Sequence, residues 1–484
     1  KVTNNYAGGT KRSLFVNGKT LVNNEQQSPF GAGWMINGLY KLAFNTDLSV
    51  TLISPAARSI TYLTTATVDV FAAPDNDYAS FIRNPTGGYT HTAKNGIKME
   101  FNDQGLLIDR IDRNGNTTHY TYDSNNQLIN ITDPVGLITV LAYDNNGLLS
   151  TITDPANRVT SFTFDATGNL TKVSYPDNTF ETFEYDGRHL ITAHEDERQN
   201  RFTDRYDVFG RIIDGTLPDG TVRAAISKTA TGLVDVSSGV GTAANPAPVT
   251  RPNAADGEYT DGRGNSSSKK LDSHGRATLQ IDELGRTTTH VRDADSNATQ
   301  TSRPIGSVVN RTFDGFGNVL TKTEQFNGAT TTYSYDAFSL VKSVTNPRNH
   351  TNTINRDPVT GNPLSIVNHL GHTSTMQYDS RGLLTQSTSP NGLVTTYTYN
   401  AQGLMQTKTE TPPALSPGNV RVTTFGYFPS GLLQTVNTPD GITLNYVYDD
   451  RSMLVSVTDN LNQSITYTYD DHKNVIKTDT NNAD

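Results

Sequence analysis

The stretch Thr139-Val140-Leu141-Ala142-Tyr143-Asp144-Asn145-Asn146-Gly147-Leu148-Leu149-Ser150-Thr151-Ile152-Thr153-Asp154-Pro155-Ala156-Asn157 decides the fold. Thr139 to Tyr143 alternates side chains as a β-strand does. Asp144 and Gly147 then sit at positions i and i+3 of a type I turn: the carboxylate can accept the turn's own amide, and glycine tolerates positive φ. Leu148 to Thr153 reads as a second strand. Asp154-Pro155-Ala156-Asn157 reads as a second turn, with proline at i+1, where its fixed φ fits. One unit is therefore two strands and two turns.

Working outward, the aromatic–Asp/Asn pair recurs at Phe101-Asn102, Tyr122-Asp123, Tyr143-Asp144, Phe164-Asp165, Tyr185-Asp186 and Tyr206-Asp207, always 21 residues apart. It resumes at Leu271-Asp272, Arg292-Asp293 and Phe313-Asp314 and continues through Tyr335, Arg356, Tyr378, Tyr399, Tyr427, Tyr448 and Tyr469. Sister second turns are Asp133-Pro134-Val135-Gly136, Ser389-Pro390-Asn391-Gly392 and Thr438-Pro439-Asp440-Gly441. The long step from Tyr399 to Tyr427 is absorbed by the Pro-rich stretch Thr411 to Gly418. The gap between Tyr206 and Leu271 holds a worn copy near Ile226–Val234, and a small-residue stretch, Ser237 to Pro252, that reads as an excursion. The organisation that follows is an opening β segment over 1–94, repeats over 95–220, degenerate repeats or a loop over 221–270, and repeats over 271–484.

Composition agrees. Only 34% of the 484 residues are apolar and Tyr plus Phe number 22 and 18; mean hydropathy is −0.51. That is too little for several thick cores, yet too rich in β-formers for disorder. Roughly 18 repeats imply on the order of 36 strands and a ribbon about 170 Å long. Twist accumulates in so long a sheet, so an all-β antiparallel hairpin ribbon must coil, and coiling creates an inside. The net charge of −9 and the lack of a basic stripe argue against nucleic acid as partner. No apolar run reaches about 18 residues, so no helical membrane span is expected. With no cysteine there are no disulfides or thiolate metal sites. The polar start without Met suggests a chain that begins inside a longer precursor.

Tyr143 to Leu148 and Tyr378 to Leu383, together with Asp282 to Arg286 and Asp314-Gly315-Phe316-Gly317-Asn318, resemble the YD repeats of the Rhs family. That family includes bacterial polymorphic toxins, the cocoon subunits of Tc toxins and the teneurin barrel. Pro29-Phe30-Gly31-Ala32-Gly33-Trp34 is similar to the segment that opens such regions. The resemblance implies a ribbon spiralling into a hollow shell or barrel around an enclosed toxin or effector polypeptide. It also implies a bacterial protein, secreted or at the cell surface, possessing a C-terminal core and a secretion or surface partner. The family's autoproteolytic core motif is not recognisable. Asp133-Pro134-Val135-Gly136 matches only superficially, and turn chemistry accounts for it.

No catalytic, metal or cofactor site is expected. His194-Glu195-Asp196-Glu197-Arg198 is the densest polar cluster and reads as solvated charge at a second turn, where His194→Ala would change little. His350, His369 and His372 could meet by stacking of adjacent repeats. The anchor tyrosines are read as cross-strand packing, with sugar stacking on an aromatic ladder as the alternative. Trp34 is expected to be a buried anchor. The residues of consequence are structural: Tyr122, Asp123, Tyr143, Asp144, Gly147, Tyr206, Asp207, Gly210, Asp314, Gly317, Tyr378, Asp379, Gly382, Tyr448 and Asp449. Two functions follow from this pattern: a shell that encapsulates a polypeptide, or a surface scaffold binding glycan or protein partners on its outer face.

Overall fold

The computed structural model describes residues 28–55, 59–74, 77–206, 212–228, 255–272, 276–414, 418–449, 452–470 and 474–481, with the backbone of three short strands before residue 25. Forty antiparallel strands follow one another in sequence order, from Lys41–Phe44 to Val475–Asn481. Each pairs with its chain neighbour. Among the described residues no strand pairing joins the first strand to the last, so the sheet is open.

Each repeat is two hairpins, as its sequence requires. At Asp144 the amide donates to Leu148 O (2.8 Å) and Gly147 N donates to Asp144 O (3.0 Å). Asp144 Oδ1 accepts from the amides of Asn146 and Leu148, both at 2.9 Å. Gly147 has φ +79. This is a type I turn closed by a left-handed residue, which matches the twist of the flanking strands. Asn126, His189 and Ser452 take the left-handed position at φ 61 to 65 where glycine is missing.

The 21-residue period carries a further device. Tyr143 faces Leu149 but Ala142 faces Thr151, so Ser150 is an extra, bulged residue. The same shift occurs beside Phe164, Arg292 and Tyr378. Side chains alternate with period two, and 21 is odd. Without one extra residue per repeat, equivalent residues would land on opposite faces. The bulge restores the phase and adds local twist. Its hydroxyl often caps the opposite strand: Ser150 Oγ donates to Ala142 O (3.1 Å), Thr171 Oγ1 to Thr163 O (3.0 Å).

The ribbon coils on itself. Lys94 Nζ reaches Phe316 O (2.9 Å) and Asn318 Oδ1 (3.0 Å). Asn116 Nδ2 reaches Arg381 O (2.9 Å), Asn362 Nδ2 reaches Asn114 Oδ1 (2.8 Å), Arg158 reaches Ser452 Oγ (2.8 Å) and Arg198 reaches Asn474 Oδ1 (3.1 Å). In every case a second turn of the early repeats meets a Tyr-Asp-type turn of the late repeats. These contacts form a seam between two coils. Strand order across it places about 19 to 25 strands in one circuit. At about 4.8 Å per strand the circumference is roughly 90–120 Å, hence about 30–40 Å across and roughly 20–30 Å inside the side chains.

One face of this wall is the inner one. Residues 28–39 lie across it over the first coil: Leu149 N donates to Pro29 O (2.7 Å), and Ala32 N donates to Gly168 O (3.0 Å). Gly31 has φ +98, and a Cβ there would sit 3.0 Å from Phe164 and 3.1 Å from Leu170. Only glycine allows this approach. Beneath the segment Leu107, Leu128, Leu149, Leu170 and Ile191 are buried. Their burial contributes on the order of 10 kcal/mol as an upper bound. The equivalent Leu384, Met405, Leu433 and Leu454 of the second coil are half-buried. In Thr373–Tyr378 alternate residues are exposed and half-buried, so the two faces of the wall differ there as well.

The strands Val222–Lys228 and Ala255–Thr260 pair directly, so the sheet runs unbroken past the excursion. The excursion itself, 229–254, lies outside the described residues, as do Asp207 and Gly210.

Candidate functional site

The repeat anchors act as stitches on the inner wall. Tyr122 OH donates to Leu107 O (2.9 Å), Tyr143 OH to Leu128 O (2.8 Å), Tyr206 OH to Ile191 O (2.7 Å), Tyr399 OH to Leu384 O (2.8 Å) and Tyr469 OH to Leu454 O (2.7 Å). Each bond reaches 15 residues back, tying one repeat to the one before it. Burial pushes the Tyr122, Tyr143 and Tyr185 phenols well above their ordinary range. Arginine takes over this role at two anchors. Arg292 donates to Ala277 O (3.1 Å) and Arg356 to Val341 O (3.4 Å), each again 15 residues back. The sequence series passes through Arg292 and Arg356 without revealing why they keep the rhythm; a long donor is what the position needs. The tyrosine hydroxyls are taken up by these backbone bonds.

Asp123, Asp314 and Asp379 build their turns as Asp144 does, with amides from i+2 and i+4 on one carboxylate oxygen. Asp449 accepts from Met453 N (2.8 Å). At Asp165 burial opposes ionisation, but hydrogen bonds from Asn169 and Thr167 outweigh it and hold the carboxyl at about 2. Gly317 has a second duty: a Cβ there would lie 2.7 Å from Tyr78 OH of the first coil. Gly382 likewise abuts Asn114 across the seam, at 2.5 Å.

Trp34 is buried, and its Nε1 donates to Tyr185 OH (2.9 Å). Its ring meets Phe183 edge-on at 5.0 Å. His194 differs from the expectation. It lies in the strand Ile191–Glu195 and not in a turn, because the turn is Asp196 to Asn200. Its Nε2 contacts Glu181 Oε2 (3.0 Å), Tyr175 OH donates to Glu181 Oε1 (2.7 Å), and its ring stacks on Phe183 at 4.8 Å. The bond from His194, ahead of burial, holds the Glu181 carboxyl below its usual range. His350 and His369 do stack, 4.3 Å apart with planes 9° from parallel. Among the described residues no group of three or more His, Asp or Glu is arranged to hold a metal ion. No described helix is long and apolar enough to cross a membrane.

A third inner-wall cluster had no sequence signal. Tyr62 OH donates to Asp77 Oδ2 (3.0 Å) and lies 3.0 Å from His91 Nε2. Tyr62 has one proton, which the carboxylate takes, so His91 Nε2 carries the other. Burial lowers the His91 pKa and keeps the ring neutral.

The RHS Repeat family matches residues 101–138, 143–179, 313–351, 359–392, 378–413 and 448–484. No curated protein matches the chain. Among solved structures it is similar to TcdB2-TccC3-Cdc42, at 13% identity over 92% of this chain and 26% of that one, TM-score 0.47. It is similar to TcdB2-TccC3 without its hypervariable C-terminal region, with the same identity, coverage and TM-score of 13%, 92%, 26% and 0.47. It is also similar to the Tc holotoxin pore of Photorhabdus luminescens, at 13% identity over 91% of this chain and 26% of that one, TM-score 0.45. The chain spans about a quarter of the length of these solved chains.

Proposed function

On the premise that this chain is built from Rhs repeats, we propose that it forms a section of an Rhs-type toxin shell whose role is to enclose and shield a polypeptide. One observation supports this: seam hydrogen bonds join early and late repeats, and strand spacing over the circuit they define leaves roughly 20–30 Å inside the wall. A lumen of that width takes helices, which are about 10–12 Å across, or extended chain. A folded 100-residue domain, about 34 Å across, is too wide for it. The role is steric and structural. A wall with its backbone hydrogen-bonded from strand to strand offers proteases no entry, and the work falls to the anchors, turns and bulges. The enclosed partner is an effector polypeptide, and the setting is a secreted or surface-held bacterial toxin. Mass spectrometry of the natively isolated particle after exhaustive proteolysis tests this. Survival of a non-repeat polypeptide until denaturant opens the wall is expected; recovery of repeat peptides alone would sink the idea.

A second function, binding on the outer face, is favoured by one feature. Ile138, Val159 and Phe180 recur at 21-residue steps on that face, and Val222 follows two steps on, past Arg201; the four are 47%, 44%, 38% and 57% exposed. Such a row suits a protein partner better than a sugar, because exposed apolar side chains beside the Arg201–Glu184 pair resemble a protein interface.

A further inference from the structure

We propose that the inner wall of the second coil binds an extended polypeptide segment of the pattern Gly-x-x-Trp, as the wall of the first coil binds residues 28–39. The first coil shows how such a segment is held. Pro29 O meets Leu149 N, Ala32 N meets Gly168 O, and Trp34 Nε1 donates to Tyr185 OH. The segment thus advances from one repeat to the next in about three residues. Three extended residues span ~10 Å, as do two strand spacings of about 4.8 Å. Tyr185 can accept because its own proton goes to Leu170 O (2.7 Å).

The second coil has the same parts in the same order. Leu384 pairs with its anchor tyrosine as Leu149 does. Met405 faces Tyr399 as Leu170 faces Phe164. Gly403 closes its turn at φ +78, Gly168 at φ +83. Tyr427 OH donates to Met405 O (2.8 Å) and keeps lone pairs for a further donor, as Tyr185 does. Phe425 precedes Tyr427 by two residues, as Phe183 precedes Tyr185, so each pair shares a face. One bulge per repeat keeps this row on the face that Leu149 occupies. The difference is cover. Leu149, Leu170 and Phe183 are buried, whereas Leu384, Met405, Phe425 and Tyr427 are half-buried. Among the described residues no backbone bond from another segment reaches this row.

The occupant follows from the place and the parts. The row lines the lumen, so what covers it is a stretch of the enclosed polypeptide; in this the site rests on the enclosure proposed above. Tyr399 and Met405 stand where Phe164 and Leu170 crowd a Cβ at Gly31, so the stretch needs glycine there. Phe425 and the Tyr427 oxygen call for an aromatic side chain with an N–H three residues later.

The test is fluorine NMR with the whole chain alone and the peptide acetyl-Ser-Pro-Phe-Gly-Ala-Gly-Trp-Met-Ile-amide, its tryptophan fluorinated so that the signal belongs to the peptide. A shifted or broadened bound signal is expected. Binding about tenfold weaker or worse is expected with valine for the peptide's first glycine, and with the Met405→Glu protein. Met405→Glu alters the second coil only, so a peptide that displaced residues 28–39 from the first coil would bind this variant undiminished. The valine peptide leaves the protein unchanged and decides the matter should Met405→Glu fail to fold. No change in the fluorine signal, equal binding of the valine peptide, or undiminished binding to Met405→Glu would overturn the assignment. Proteolysis of the native particle tests enclosure separately, so the two readings fail on different measurements.

Discussion

At the scale of single residues, the anchor tyrosine does more than pack. Tyr399→Phe deletes one half-buried hydrogen bond, to Leu384 O, and is expected to cost about 1 kcal/mol. Tyr185 also accepts from the buried Trp34 Nε1, so Tyr185→Phe strands a donor as well and should cost more, about 2–4 kcal/mol. Comparative denaturation of the two variants checks this, and equal losses would contradict it. Protons report on the turns. The Asp165 carboxyl is depressed to about 2 when folded, against about 3.9 unfolded. A depressed carboxyl contributes stability that is full above the unfolded value and lost as pH falls through the folded one. The melting temperature should therefore hold above about pH 5 and fall between pH 4 and 2, with a shallower fall in Asp165→Asn. A melting temperature unchanged from pH 5 to 2.5 would refute it. The aspartate and glycine roles were legible in the sequence because turn chemistry is local. The inward His194–Glu181 bond was not, because it joins neighbouring strands and depends on where one turn begins. His194→Ala is now expected to destabilise, since it removes a bond from a half-buried carboxylate.

Among elements, the bulge is what lets an odd repeat build one consistent wall. Ser150→Ala removes only the hydroxyl bond to Ala142 O and should cost at most about 1 kcal/mol. Deleting Ser150 leaves twenty residues, an even number, so plain alternation keeps every side chain on its face and only the bulge and its added twist are lost. Cooperative melting is therefore expected to survive the deletion, as thermal melts followed by circular dichroism would show; its loss would show that the phase argument is wrong. Strand and turn positions could be read from alternation and from Asp, Pro and Gly spacing. The bulge could not, because Ser and Thr fill much of every strand and carry no mark of which one is extra. The Pro-rich loop after Thr411 accounts for part of the long step at Tyr399–Tyr427. Longer strands, Met405–Thr411 and Arg421–Tyr427, account for the rest.

For the whole molecule, coiling follows from sheet twist, but the circuit length does not. It is set by seam contacts between residues 222 to 294 apart in sequence, such as Phe316 against Tyr78 at 6.2 Å, and no repeat pattern pairs those positions. The opening segment is a similar case. Its Gly-rich character was visible, whereas its path across Leu149, Gly168 and Tyr185 was not. The wall, its lumen and the enclosure proposed for it all rest on the seam. Cryo-electron microscopy of the natively isolated particle tests this directly. Two stacked circuits of about 19 to 25 strands, with second turns of the first coil touching Tyr-Asp-type turns of the second around a lumen, are the predicted result. An uncoiled ribbon, or a single circuit whose early and late repeats never touch, would contradict it.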